Sequence, residues 1–256
     1  MKKMKNKVVF AFAIIISFMI VNVYAYENKT YINGYGVELT QKEYEFVNDY
    51  YGFDYFENMT QEDYNWISVL DINNNDIDIN VIYDNDEVNV ENLLLLGNVS
   101  INGTSHTTSS KKLVIAKSCS SVKCTILTNL TWLKNPSVRS YDVIGARFDG
   151  TSLYTNTIST KVSSSSGTSY YSYNQFLSNG FGTSVKLPSG STNIIVEQSF
   201  SVNLGGSIYA SYQHATSNIS LSTSKKYVID QYGLGSVFNF YGSALGVYDG
   251  MAGVNI

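Results

Sequence analysis

The chain has 256 residues, a formal charge of −4 and only 15% charged residues. Four of its lysines fall in the first seven residues, so everything beyond Ala25 carries about −8. That balance argues against a nucleic-acid partner, which calls for a basic face.

The N-terminus reads as a secretory leader. Lys2, Lys3, Lys5 and Lys7 precede an apolar run from Val8 to Val23, interrupted only by Ser17 and Asn22. Val23-Tyr24-Ala25 then supplies the small-x-small site for cleavage between Ala25 and Tyr26. The run falls short of the ~20 apolar residues of a membrane span. The expectation is a secreted, extracellular product with no membrane span after processing.

Charge then divides the chain. Fourteen acids and no lysine or arginine lie between Lys42 and Lys111, whereas eleven lysines and arginines and five acids follow from Lys111 onward. The expected organisation is a signal peptide over 1–25, an acidic helical segment and connector over 26–92, and a β domain over 93–256. Thr40 with Glu43 and Thr60 with Asp63 have capping-box spacing. They predict two short helices joined around Gly52–Asn58, with apolar stripes Tyr44, Val47, Tyr51 and Tyr64, Ile67, Leu70. Those stripes predict docking on the β domain. Asp71, Asn73 and Asn75 have the spacing of a calcium loop, but Asp76 replaces its glycine and Ile82 its final carboxylate. A solvated turn is the expectation, and no metal site is assigned. Residues 84–110 read as a connector, with His106 in its polar end.

From Lys111 the pattern has period two. Strands are expected at Lys112–Ser118, Thr125–Leu133, Tyr141–Phe148, Asn193–Asn203, Ser207–Thr216 and Tyr227–Asp230. The fold class is mainly β: an antiparallel β-sandwich, jelly-roll-like, preceded by the short acidic α-helical segment. Cys119 and Cys124, the only cysteines, predict a disulfide closing the first hairpin. Residues 151–173 alternate weakly in a Ser/Thr-rich background. Leu153, Ile158 and Val162 change phase, which disfavours a lipid-facing hairpin and suggests a flexible loop.

Catalytic signals are weak. His214 lies on a strand face with Ile208, Ala210 and Tyr212, where a structural histidine is the simplest reading. No Gly-x-Ser-x-Gly elbow accompanies it. The β region offers Asp142, Asp149, Glu197, Asp230 and Asp249 as carboxylates, with Asp149 and Asp249 read as Asp-Gly turn residues. Arg139 and Asp142 are expected to pair across the Asn135-Pro136 turn. Tyr154, Tyr170, Tyr171, Tyr173, Tyr209 and Tyr212 either fit half-buried strands or present rings for stacking on a ligand.

The stretch Thr131–Phe148, the start Thr60-Gln-Glu-Asp-Tyr64 and the segment Ala210-Ser-Tyr-Gln-His-Ala215 resemble a group of secreted Gram-positive bacterial proteins of unknown function. The resemblance implies export and brings no assigned site. The functional expectation is a non-enzymatic binding or interaction module at or outside the cell surface, without a cofactor. Its partner would be an unidentified glycan or protein. A membrane-active β-rich toxin is the alternative, then a secreted hydrolase.

Overall fold

A computed structural model describes residues 29–75, 77–78, 105–107, 110–215, 227–229, 238–240 and 246–256. The expected leader with its Ala25–Tyr26 cleavage point, the 92/93 boundary and Leu93–Leu96 lie outside these residues. The chain divides into two compact units, Met1–Ser68 and Val69–Ile256.

The first unit opens with an antiparallel ladder of β1 (Thr30–Ile32) and β2 (Glu38–Thr40). Three helices follow: α1 (Gln41–Tyr50), α2 (Tyr55–Asn58) and α3 (Gln61–Ile67). Both expected capping boxes are formed, Thr40 with Glu43 and Thr60 with Asp63. They answer amide groups that a helix start otherwise leaves without partners. The segment expected to be a plain connection contains α2, which places Phe56 edge-on to Tyr44 at 5.3 Å. Tyr44 in turn stacks on Tyr31 at 3.9 Å. Val47, Tyr51 and Ile67 of the expected stripes are buried, and so are Phe46 and Tyr50.

Asn33 ties this unit's loops together. Its Nδ2 donates to the carbonyls of Phe56 and Met59 at 2.8 and 2.7 Å. Its Oδ1 accepts from the amides of Tyr35 and Val37, each at 3.0 Å.

The second unit is an antiparallel β-sandwich. After the turn at Asp71–Asn75 come β3 (Ile77–Asp78), β4 (Ser105–Thr107), β5 (Lys111–Cys119), β6 (Lys123–Trp132), β7 (Tyr141–Asp149), β8 (Leu153–Ser164) and β9 (Gly167–Tyr171). They are followed by β10 (Gln175–Leu177), β11 (Gly180–Lys186), β12 (Ile195–Asn203), β13 (Ser207–Ala215), β14 (Tyr227–Ile229), β15 (Phe238–Phe240) and β16 (Gly246–Asn255). One sheet runs β3-β5-β6-β12-β8-β9, with β4 also on β5; the other runs β10-β11-β7-β13-β16. Their facing sides share one core. Leu113, Ile126, Leu130, Val196 and Phe200 come from the first sheet. Ile144, Phe148, Phe181, Val185, Ile208 and Tyr212 come from the second. Phe181 and Phe200 meet edge to face across the sheets at 5.1 Å. Gln198 of β12 adds a polar bridge, its Nε2 reaching Thr160, Thr183 and the carbonyl of Ile144 at 3.1 to 3.3 Å.

The expected disulfide is present. Cys119 and Cys124 are paired residues at the end of the β5–β6 hairpin.

Several local readings are corrected. Residues 105–107 of the connector form β4 and pair with β5. The serine-rich stretch is an ordered hairpin, β8–β9, with five aligned residue pairs from Ser164–Gly167 to Thr160–Tyr171. Its change of phase comes from an irregularity against β12. Ser199 pairs with Ser159 and Ser201 with Tyr154, so β8 carries extra residues there and its parity flips. Leu153 and Ile158 therefore both pack against the core beside Val162. Thr157, within the irregularity, accepts the amide of Ser201 at 2.8 Å. Asp249 is not in a turn but inside β16, between Gly250, which pairs with Tyr212, and Tyr248, which pairs with Gln213.

Candidate binding cleft

The tip of the β8–β9 hairpin and the segment that follows β11 enclose an open cleft of about 390 Å³. Ser164, Ser166, Thr168 and Ser169 supply hydroxyls on one wall; Lys186, Leu187, Pro188 and Ser189 form the other, and Tyr171 also lines it. The two walls are held to each other by hydrogen bonds rather than by sheet pairing. Ser165 and Thr192 bond twice, amide to carbonyl at 3.0 Å and amide to hydroxyl at 2.9 Å. Ser191 Oγ donates to Ser166 Oγ at 2.7 Å. The Tyr171 hydroxyl donates to the Lys186 carbonyl at 3.1 Å. Burial pushes the Tyr171 phenol above its ordinary pKa of 10.0, so it stays a neutral donor at physiological pH.

Arg139 is the strut of the second wall. Instead of pairing with Asp142 as expected, its Nη1 donates to the carbonyls of Pro188 and Ser191 at 2.7 and 2.6 Å. Two lone pairs pointing at one guanidinium fix the Pro188–Ser191 turn, which a bare chain of that length would not hold.

The tyrosines divide. Tyr212 is fully buried in the core, and Tyr209 lies beneath the Arg147 guanidinium at 5.0 Å. Tyr170 on β9, Tyr173 in the following loop and Phe176 on β10 are exposed, at 58%, 39% and 44%. Tyr173 and Phe176 rings are 6.0 Å apart. These three rings are carried by or flank the terminal strands of the two sheets, β9 and β10. Tyr154 is a fourth exposed ring, hydrogen-bonded to Asn203 at 2.5 Å.

His214 belongs to a different cluster. Its Nδ1 lies 2.9 Å from both carboxylate oxygens of Asp142, which is fully buried. The Tyr212 hydroxyl donates to the same carboxylate, and Trp132 Nε1 reaches the Tyr212 oxygen at 3.3 Å. The Trp132 ring packs edge-on against His214 at 4.8 Å and beneath Lys111 Nζ at 5.0 Å. The cluster joins β6, β7 and β13 and satisfies a buried carboxylate. The sequence placed Tyr212 and His214 on one face correctly; it held no signal that Asp142, 72 positions away, was their partner. Among the described residues, no three His, Cys, Asp or Glu side chains converge as a metal-ligand set. None of the described helices is long and apolar enough to cross a membrane.

Neither a protein-family model nor a curated protein sequence matches the chain. Among solved structures, the chain is similar to the collagen-binding subdomain of the Enterococcus faecalis surface protein ACE, with TM-score 0.30 and 10% identity. That match covers 37% of this chain and 77% of that one. It is also similar to the collagen-binding domain of a Staphylococcus aureus adhesin, with TM-score 0.31 and 9% identity over 40% of this chain and 83% of that one.

Proposed function

We propose that the protein is an exported, non-catalytic binding module that acts at or outside the cell surface and takes a glycan or protein ligand along the β8–β9 cleft. The observation that carries this reading is a preformed recess lined by hydroxyls and one lysine; three exposed aromatic rings, Tyr170, Tyr173 and Phe176, lie on β9 and on the loop and strand that follow it. Aromatic faces offer flat apolar contact, and hydroxyl-rich walls offer adaptable donors and acceptors. Because hydrogen bonds already hold the walls, a ligand meets little ordering cost there. The basic leader, apolar run and Ala25–Tyr26 junction support export.

The test is binding of the mature chain, from Tyr26, to a glycan array and to immobilised extracellular-matrix proteins. Tyr170→Ala, Tyr173→Ala and Lys186→Ala are measured beside it. The expected result is one class of ligand whose affinity falls about tenfold in at least one variant, as the loss of one well-placed contact implies. Ligand binding unchanged in all three variants would remove the cleft as the site.

A further inference from the structure

A second feature lies on the opposite face of the seven-stranded sheet from the core. Glu197 of β12 is directly paired with Asn129 of β6 on one side and with Lys161 of β8 on the other. Their sequence neighbours Leu130, Val196 and Val162 enter the core, so alternation sends all three side chains to the other face. There they form a transverse row, Asn129–Glu197–Lys161, and each is 0% exposed. Lys161 Nζ is 3.0 Å from Glu197 Oε2. Asn129 Oδ1 accepts from the Thr131 hydroxyl at 2.7 Å. Its Nδ2, however, is buried with no hydrogen-bond acceptor among the described residues.

As a purely structural arrangement this row is expensive. A buried amide donor left unmade costs about 1–3 kcal/mol, and an ion pair taken wholly out of water often fails to recover its desolvation. The same three groups, though, are a nucleophile, a proton carrier and an acyl group with a leaving nitrogen. Two strand spacings put the Asn129 and Lys161 backbones about 10 Å apart. The four-carbon lysine arm crosses most of that gap over Glu197.

We propose that Lys161 and Asn129 join in an intramolecular amide bond, with Glu197 as the catalytic acid–base. Glu197 takes a proton from Lys161 Nζ, and the resulting amine attacks Asn129 Cγ. As the tetrahedral centre collapses, the Nζ–Cγ bond is kept and the Cγ–Nδ2 bond breaks. Glu197 returns its proton to Nδ2, which departs with the remaining proton from Nζ as ammonium. Glu197 ends as it began, and no oxidant, metal or cofactor takes part. Exclusion of water from the row protects the reacting groups from hydrolysis. The product ties β6 to β8 across β12 and removes the unpartnered amide donor.

The decisive measurement is the intact mass of the purified mature protein, reduced so that the disulfide does not contribute, followed by peptide mapping. The expected protein is lighter than its sequence by one ammonia, and digestion yields a branched peptide joining the segments around Lys161 and Asn129. Succinimide formation at Asn33-Gly34, Asn102-Gly103 or Asn179-Gly180 loses the same mass but gives no branch. Lys161→Ala, Asn129→Ala and Glu197→Gln should each restore the full mass. A wild-type chain at its full sequence mass, or ammonia loss mapped to an Asn-Gly step, overturns the proposal without reference to any variant.

Discussion

The turn between β12 and β13 offers a clean test of the sandwich, because two adjacent glycines there do different work. Gly205 and Gly206 have φ of +94° and +89°, a region that side chains disfavour by about 1–2 kcal/mol. A β-carbon at Gly205 would meet nothing within 4 Å. One at Gly206 would lie 2.1 Å from the carbonyl oxygen of Asp149 and 2.8 Å from the carbonyl carbon of Gly150. Those are backbone atoms at the end of β7, where Asp149 pairs with Ser207, so no side chain can swing aside. Relieving the clash means displacing the β7–β13 ladder, at about 1–3 kcal/mol by analogy with overpacked cores. Gly205→Ala should therefore cost about 1 kcal/mol and Gly206→Ala about 3 kcal/mol. With a urea slope of about 1–3 kcal/mol per molar, the two midpoints should differ by roughly 1 M. Unfolding followed through the fluorescence of Trp132, which is buried in the sandwich, reports the difference. Equal midpoints for the two variants would refute the close approach of the two turns.

Asn33→Ala removes four hydrogen bonds at once and leaves buried backbone groups without partners. It should destabilise the first unit by about 3 kcal/mol, read as faster hydrogen exchange at the Tyr35 and Val37 amides. Unchanged exchange there would mean the side chain does not hold the loop. The raised pKa of Tyr171 means that the folded state keeps a proton which the unfolded chain releases above pH 10.0. Stability from this group is then complete below pH 10.0 and falls as pH rises through the folded value. Tyr171→Phe should make alkaline unfolding less steep and remove one phenol that titrates above pH 10.0 from the ultraviolet titration.

Much of the architecture was legible because it rests on local rules. The capping boxes at Thr40 and Thr60 each need only residues three apart. Strands β5, β6, β7 and β12 are buried along most of their length on both faces, so they and β13 were legible from apolar runs bounded by turn residues more than from alternation. The disulfide needed only two close cysteines. The hairpin β8–β9 was hidden by its own irregularity. Parity flips between Leu153 and Ile158 because β8 holds extra residues opposite Ser199–Ser201, and a period-two reading counts such a flip against a strand. Strand β10 has only three residues, and β11 contains Gly180 and Gly182, which weaken its strand signal further. The site was less legible than the fold. Ser164 and Lys186 line one cleft only in the folded chain, and the partners of Arg139 are backbone carbonyls 49 and 52 positions away. No property of the side chains announces an acceptor of that kind.

The buried row and the cleft meet on one strand. From Lys161, β8 runs three residues to Ser164, which lines the cleft. The outer cleft strand, β9, has only β8 as a neighbour in its sheet, and such edges are the first parts of a sheet to open. The disulfide already joins β5 to β6, and the proposed amide would extend that covalent path from β6 to β8. Only β9 and the Lys186–Thr192 segment would then rely on hydrogen bonds to stay in place for a ligand. The two proposals nonetheless stand apart experimentally. Tyr170 contributes to the exposed rings and has no part in the amide reaction, so Tyr170→Ala should leave the mass deficit intact. Glu197 is fully buried on the far face of the sheet and does not line the cleft, so Glu197→Gln should abolish the deficit while every cleft-lining residue remains. A binding defect without a change of mass, or the reverse, therefore assigns the failure to one site and leaves the other standing.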